Sequence, residues 1–227
     1  MANEKDTGLS LTSAGHRLGQ IVGDWWETSV VLPTLQKIAV DLGLFLDNRT
    51  IQRGFRGSKV QWRDDDGNSV DYDFVLELNG SVDERGIPVA FFESFWRSGA
   101  RHSMDKARDD TNKLLPMRDT YATARFLAIA ACGEFTAPAR EYVKSRSVEL
   151  LFIPKERIVS AFKADGLIIA YEDNLSEEGK AKLVIDLDAK FSGKLEDKVS
   201  ANLTALCGAT TFSSFESRVK GALTATP

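Results

Sequence analysis

Ser69-Val70-Asp71-Tyr72-Asp73-Phe74-Val75-Leu76 and Ile87-Pro88-Val89-Ala90-Phe91-Phe92-Glu93-Ser94-Phe95-Trp96-Arg97 decide the fold. Both segments are rich in β-branched and aromatic residues, so both read as buried strands. Both also carry acids where a buried strand seldom tolerates them, because an unpaired carboxylate away from water is costly. A hard divalent cation with oxygen ligands accounts for several such acids at once. Side chains alternate along a strand, so Asp71 and Asp73 are expected on one face. With Glu93 across from them, the three form a cradle for Mg²⁺, with Mn²⁺ as a substitute; Asp73 is favoured over Asp71 as the primary ligand. The alternative is that these acids are solvated at sheet edges.

The rest of the composition sets bounds. A chain of 227 residues with 43% hydrophobic and 27% charged residues has ample material for one globular domain. No apolar run approaches the roughly 18 residues that would span a membrane. The polar start Met1-Ala2-Asn3-Glu4-Lys5-Asp6 does not read as a secretory signal. Cys132 and Cys207 stand far apart, outside any metal-ligand spacing, and suit a reducing, cytoplasmic setting. A net charge of −4 argues against a passive nucleic-acid coat but allows an enzyme that meets DNA through a local patch.

Periodicity supplies the order of elements. Residues 1–12 read as a disordered tail, 13–165 as the α/β core and 166–227 as a helical extension of the same domain. Leu18, Ile21, Val22, Trp25, Trp26, Val30 and Val31 recur at helical spacing within about 13–44, with Pro33 expected to divide the helix and Gly43 to end it. Strands follow at 59–63, 69–78 and 87–97 as a three-stranded meander, with Asp64-Asp65-Asp66 in a hairpin turn. A helix over 103–118 begins at Ser103 as a possible N-cap. Strand 125–132, helix 136–145, strand 148–153 and helix 155–163 come next. The tail from Ser176 to Leu206 reads as largely helical, and Ser213 with Glu216 as a capping box for a last helix. Strands alternating with helices imply a mixed sheet covered on both faces.

This α-β-β-β-α-β order, with acids on the second and third strands, resembles the PD-(D/E)xK nuclease superfamily, which includes type II restriction endonucleases, junction resolvases and repair nucleases. The resemblance spans residues 20–155 and implies a restriction-endonuclease-like α/β core, a mixed sheet flanked by helices, with extra C-terminal helices. It implies Asp73 (or Asp71) and Glu93 as the acids of the motif, and Glu27 as the additional acid that many members take from the first helix. The motif lysine falls on Phe95, which can neither orient water nor stabilise negative charge. Arg97, two residues on, or Lys106, on the following helix, is expected to supply the missing cation, arginine only as an electrostatic clamp. The implied activity is Mg²⁺-dependent endonuclease cleavage of double-stranded DNA by a homodimer, as in type II restriction enzymes.

Basic residues suggest where DNA would lie. Residues 49–63 hold five cations and no acid, and Arg49, Arg53, Arg56 and Lys59 are expected to face a duplex. Arg101, His102, Arg108 and Lys113 are expected to continue the track along the helix that follows the third strand, near an N-terminus suited to phosphate. The bland alternative for that helix is a solvated face with pairs such as Asp109 and Lys113. Two rival readings stand beside the nuclease: an inactive member of the fold that binds DNA or a partner protein, favoured by Phe95, and an α/β scaffold whose strand acids form structural salt bridges.

Overall fold

Ile87–Arg97 is an eleven-residue strand whose alternate side chains enter two different cores. Ala90 and Phe92 belong to one buried cluster, and Phe91 and Phe95 to the other. A strand apolar on both sides must be covered on both sides, and the architecture follows from that requirement. The computed structural model describes residues 14–171 and 175–225. The tail expected over 1–12, and the helix start expected at 13, lie outside the described residues.

The chain is α/β, with a mixed five-stranded sheet in the order β1-β4-β5-β6-β7. Its strands are β1 (Phe45–Asn48), β4 (Phe74–Leu78), β5 (Ile87–Arg97), β6 (Phe126–Gly133) and β7 (Glu149–Pro154). β1, β4 and β5 are antiparallel neighbours, whereas β5, β6 and β7 run parallel. The parallel steps are bridged by α3 (Ser103–Thr120) and α4 (Ala137–Ser145), whose buried residues Ala107, Leu114, Ala139 and Val143 cover one face. α1 (Ala14–Trp25), α2 (Leu32–Leu42) and α5 (Lys155–Ala164) cover the other. α6 (Glu177–Lys190), α7 (Lys194–Cys207) and α8 (Ala209–Thr224) add Leu187, Leu203 and Phe215 to that second core.

Several elements depart from the sequence expectation. The meander is not one sheet. The stretch 69–78 bends at Asp73, so β3 (Ser69–Tyr72) pairs only with β2 (Val60–Arg63) in a separate ribbon, while β4 enters the main sheet. The edge beside β4 is taken by β1, a four-residue strand too short for its periodicity to show. Pro33 does not divide the first helix. The path continues through a π-helical turn, Trp26–Val31, into α2, with Pro33 in its first turn, where a missing N–H costs little. Gly43 ends α2 in the left-handed conformation, as expected. His102, with φ of 60°, precedes α3, and Ser103 Oγ donates to the Ala100 carbonyl instead of capping the helix. Ser213 and Glu216 lie inside α8, where Glu216 meets Lys37 at 2.6 Å.

The loop after β1 holds the most enclosed ionic group. Arg53, 2% exposed, donates to Asp47 Oδ2 at 2.7 Å, to Glu77 Oε1 at 2.6 Å and to the Glu84 carbonyl at 2.5 Å. Its guanidinium lies 4.7 Å from the Phe45 ring centre and 4.5 Å from that of Phe55. Arg56 also donates to Asp47, at 2.6 Å, and to the Asn48 and Ile51 carbonyls. Arg53 and Arg56 are therefore structural, which corrects their assignment to the DNA track: a guanidinium enclosed by its own carboxylates has no donors left for phosphate. Arg53→Ala is expected to cost about 3–5 kcal/mol in urea denaturation, because Asp47 and Glu77 remain buried without their counter-charge. A loss below about 1 kcal/mol would show that water replaces the guanidinium.

Candidate active site

The bend at Asp73 places the first acid of the site. Phe74 pairs with Phe92 and Val75 with Phe91, and this antiparallel register carried one step back sets Asp73 opposite Glu93. Residues directly opposed across antiparallel strands project to the same face. Asp73 Oδ2 accepts the Ser94 N–H at 2.6 Å, which locks its carboxylate against β5. Glu93 is 3% exposed, and its charge and that of Asp73 act on each other. The two motif acids of the sequence thus meet.

Helix α3 supplies the cations. Lys106, Asp110 and Lys113 are spaced four and three residues apart, so they form one stripe on the helix. Lys106 Nζ contacts Asp110 Oδ1 at 2.7 Å and stands 5.1 Å from the centre of the Phe95 ring. Lys113 Nζ contacts Glu93 Oε1 at 2.7 Å and stands 5.4 Å from the Tyr72 ring centre. The Lys113–Glu93 contact is an ion pair, with an angle too poor for a well-formed hydrogen bond. The expected Asp109–Lys113 pairing gives way to this contact, since Glu93 is buried and Asp109 is solvated. Asp110 was not anticipated. It is 2% exposed, and its Oδ2 has no hydrogen-bond partner. The sequence signal was its place between two lysines on one stripe.

Glu27 reaches the group from the π-helical turn. It is mostly buried, pairs with Arg49 at 2.8 Å, and lies in the field of Asp73. Arg49 also binds Asp24 at 2.8 Å, so it belongs to this cluster; that corrects its expected place among free DNA contacts. A π turn widens the helix by one residue and re-aims the side chains that follow, a distortion common at functional positions.

The electrostatics follow from the burial. Burial and the neighbouring Asp73 charge push Glu93 up to about 8, against the pull of Lys113. Burial, then Asp73, raises Glu27 to about 7. Burial also raises Asp73 and Asp110, despite the Ser94 amide and the lysines. Among the described residues, no three His, Cys, Asp or Glu groups are gathered as a finished metal cage. The donor chemistry still fits a hard divalent ion. The donors are all carboxylate oxygens, their charges repel one another, and one buried Asp110 oxygen is unpartnered.

Other expected site residues lie elsewhere. Asp71 sits on the ribbon, 40% exposed and 3.6 Å from Lys59, because the bend at Asp73 turns β3 away from β5; its expected metal role is withdrawn. Arg97 donates to the Arg101 carbonyl at 2.6 Å and lines a cleft of about 650 Å³ with Gly19, Trp96 and Tyr171, a cleft that none of the clustered carboxylates lines. It is therefore no substitute for the motif lysine. Lys113 is engaged by Glu93 and is part of the site, not of an outer track. Lys59, Arg101, His102 and Arg108 are exposed, with His102 3.0 Å from Asp105. Trp26 is core, its Nε1–H donating to the Ala130 carbonyl at 3.0 Å.

These shifts predict a pH dependence. Glu93 keeps its proton in the folded chain up to about pH 8, whereas the unfolded chain releases it near 4.5. The native state therefore holds more protons through that window, and stability falls as pH rises across it. Glu93→Gln removes this loss, so the variant's Tm minus the wild-type Tm should grow steadily from pH 5 to pH 8.5 in calorimetry. A difference that stays flat would mean Glu93 is ionised throughout.

No protein-family model matches the chain, and no curated protein matches it. Among solved structures, the chain has a match to the crystal structure of AF1548, a protein of unknown function, at 14% identity and a TM-score of 0.35, over 79% of this chain and 95% of that one.

Proposed function

We propose that the chain is a divalent-metal-dependent deoxyribonuclease with a restriction-endonuclease-like core, cleaving phosphodiester bonds in double-stranded DNA. The observation that carries this reading is the meeting of Asp73 and Glu93 on adjoining strands, in one field with Glu27 and beside two lysines of α3. Order and direction of the strands agree with it: an antiparallel β1-β4-β5 unit continues into parallel β6 and β7.

Asp73, Glu93 and Glu27 would hold the metal. When bound, a divalent ion supplies an acidified water and neutralises phosphate oxygens. Asp73 needs no reorganisation to take part, since the Ser94 amide already fixes it. Lys106 takes the role of the motif lysine. Its ammonium stands over the ring of Phe95, the residue at the motif position, so the cation arrives from the helix when the strand no longer carries it. Asp110 tethers that ammonium, which can then stabilise charge developing on the phosphate without having to be gathered from solvent. Exposed Lys59, Arg101 and Arg108 remain as contacts for the DNA backbone.

A second reading is an inactive member of the fold that binds DNA or a protein. Phe95 packs against Phe135 at 5.2 Å between ring centres, so the motif position also serves the core. Supercoiled plasmid separates the two. Cleavage is expected with Mg²⁺ or Mn²⁺ and none with EDTA, with linear product appearing directly if a homodimer cuts both strands. Asp73→Asn and Glu93→Gln should each lower the rate by about a hundredfold or more, and Lys106→Met should lose far more than Arg97→Met. Wild-type rates in Glu93→Gln would remove the carboxylates from the chemistry. Metal-dependent cleavage absent from the wild type, with DNA still bound in a salt-sensitive way, would establish the inactive reading.

A further inference from the structure

We infer that Lys113 is an internal counter-ion of the carboxylate site: its ammonium keeps the place on Glu93 that a divalent cation takes, and binding of that cation releases it toward solvent and bound phosphate. This rests on the metal-dependent reading above and adds how the site is held together before metal arrives.

The contact itself is suited to exchange. Glu93 is almost wholly buried and cannot remain charged there without compensation. Lys113 provides it at 2.7 Å, yet off the line of a good hydrogen bond, so the attraction is that of a point charge with little angular hold. The Lys113 side chain keeps 29% of its surface exposed, which gives the ammonium a route to water. The base of the side chain is fixed, because Tyr72 Oη donates to the Lys113 carbonyl at 2.7 Å. An anchored backbone with a flexible four-carbon stem lets the tip move while the helix stays in place.

Lys106 is built differently. Its partner Asp110 lies on the same helix, one turn on, and the pair is hydrogen-bonded at 2.7 Å. It moves only if α3 moves. Lys113 instead pairs across to β5, so a cation that takes Glu93 breaks this pair and leaves the other intact. Charge balance points the same way. Asp73, Glu93, Asp110 and Glu27 face Lys106, Lys113 and Arg49. A divalent ion added to all of them would leave excess positive charge, and release of one ammonium restores neutrality. Of the three cations, Arg49 is held by two carboxylates and Lys106 by its own helix, which leaves Lys113 to go.

Amine acylation of the full wild-type chain at pH 8.5, read by mass spectrometry, tests this without any variant. Lys113 labelling should rise several-fold as MgCl₂ is titrated in, while Lys106 labelling stays constant. Glu93→Gln should give the high Lys113 labelling with no metal at all. In parallel, calorimetric titration with MnCl₂ should show Lys113→Met binding about tenfold more tightly than wild type, Lys113→Arg close to wild type, and Lys106→Met changed less than Lys113→Met. Binding seen only in Lys113→Met would also support the counter-ion role, since the ammonium would then be the barrier. Unchanged Lys113 labelling in wild-type protein that binds Mn²⁺ would overturn this inference and leave the metal reading standing. Absence of Mn²⁺ binding in both wild type and Lys113→Met would overturn both.

Discussion

Buried negative charge is the constraint around which this structure is arranged. Five carboxylates, those of Asp47, Glu77, Glu93, Asp73 and Asp110, sit on or against the central sheet, where none could stay ionised alone. The chain meets that cost in two ways. Around β1 it uses arginine, whose planar fork lets Arg53 span Asp47 and Glu77 and reach the Glu84 carbonyl as well. That cluster is closed. Around Asp73 and Glu93 it uses lysine, which brings charge but no fork, and an Asp110 oxygen is left without a partner. That cluster is unfinished, and its acids hold their protons far above the usual carboxylate range. The difference between the two clusters is the physical reason to place stability in one and chemistry in the other.

Three local irregularities bring the unfinished cluster together. The bend at Asp73 detaches the β2–β3 ribbon and frees the Asp73 carboxylate to meet the Ser94 amide. The π-helical turn brings Glu27 into the field of Asp73. The left-handed residue His102 starts α3 so that its lysine stripe faces β5. Each departs from ideal secondary structure, and such departures persist where surrounding packing holds them. Here Trp26, hydrogen-bonded to β6, and Tyr72, hydrogen-bonded to α3, hold two of the three.

How much of this the sequence discloses depends on how far each partner lies along the chain. The two-faced β5, the mixed α/β sheet, the parallel second half and the opposition of Asp73 and Glu93 follow from period-two patterning within short windows. The roles of the arginines do not. Arg53 and Arg56 stand in a run free of acids, which looks like a solvated patch, while Glu77 lies 24 residues further on and is revealed only when β1 and β4 pair. Asp71 and Asp73 share a face in any straight strand, and only the tertiary bend separates them. Asp110 was masked by its company: a lysine one turn before and another one turn after look like ordinary pairs on an exposed helix. Burial turns that same pattern into a device.

Phe95 shows how a lost motif residue can be misread. On a strand the side chain after next shares a face, so a phenylalanine two positions beyond Glu93 reads as a missing cation. In three dimensions the ring forms the floor on which the Lys106 ammonium rests, and it also closes the core against Phe135. An aromatic face attracts a cation yet offers it no hydrogen bond, so direction must come from elsewhere, and Asp110 supplies it. The arrangement divides one residue's task among three: Phe95 gives the surface, Asp110 the orientation and Lys106 the charge. Two of those three are on α3, so the charge is positioned by how α3 packs against β5, through Ala107 and Leu114 in the core shared with Phe91 and Phe95. A change in that packing would move the cation while leaving every carboxylate where it is.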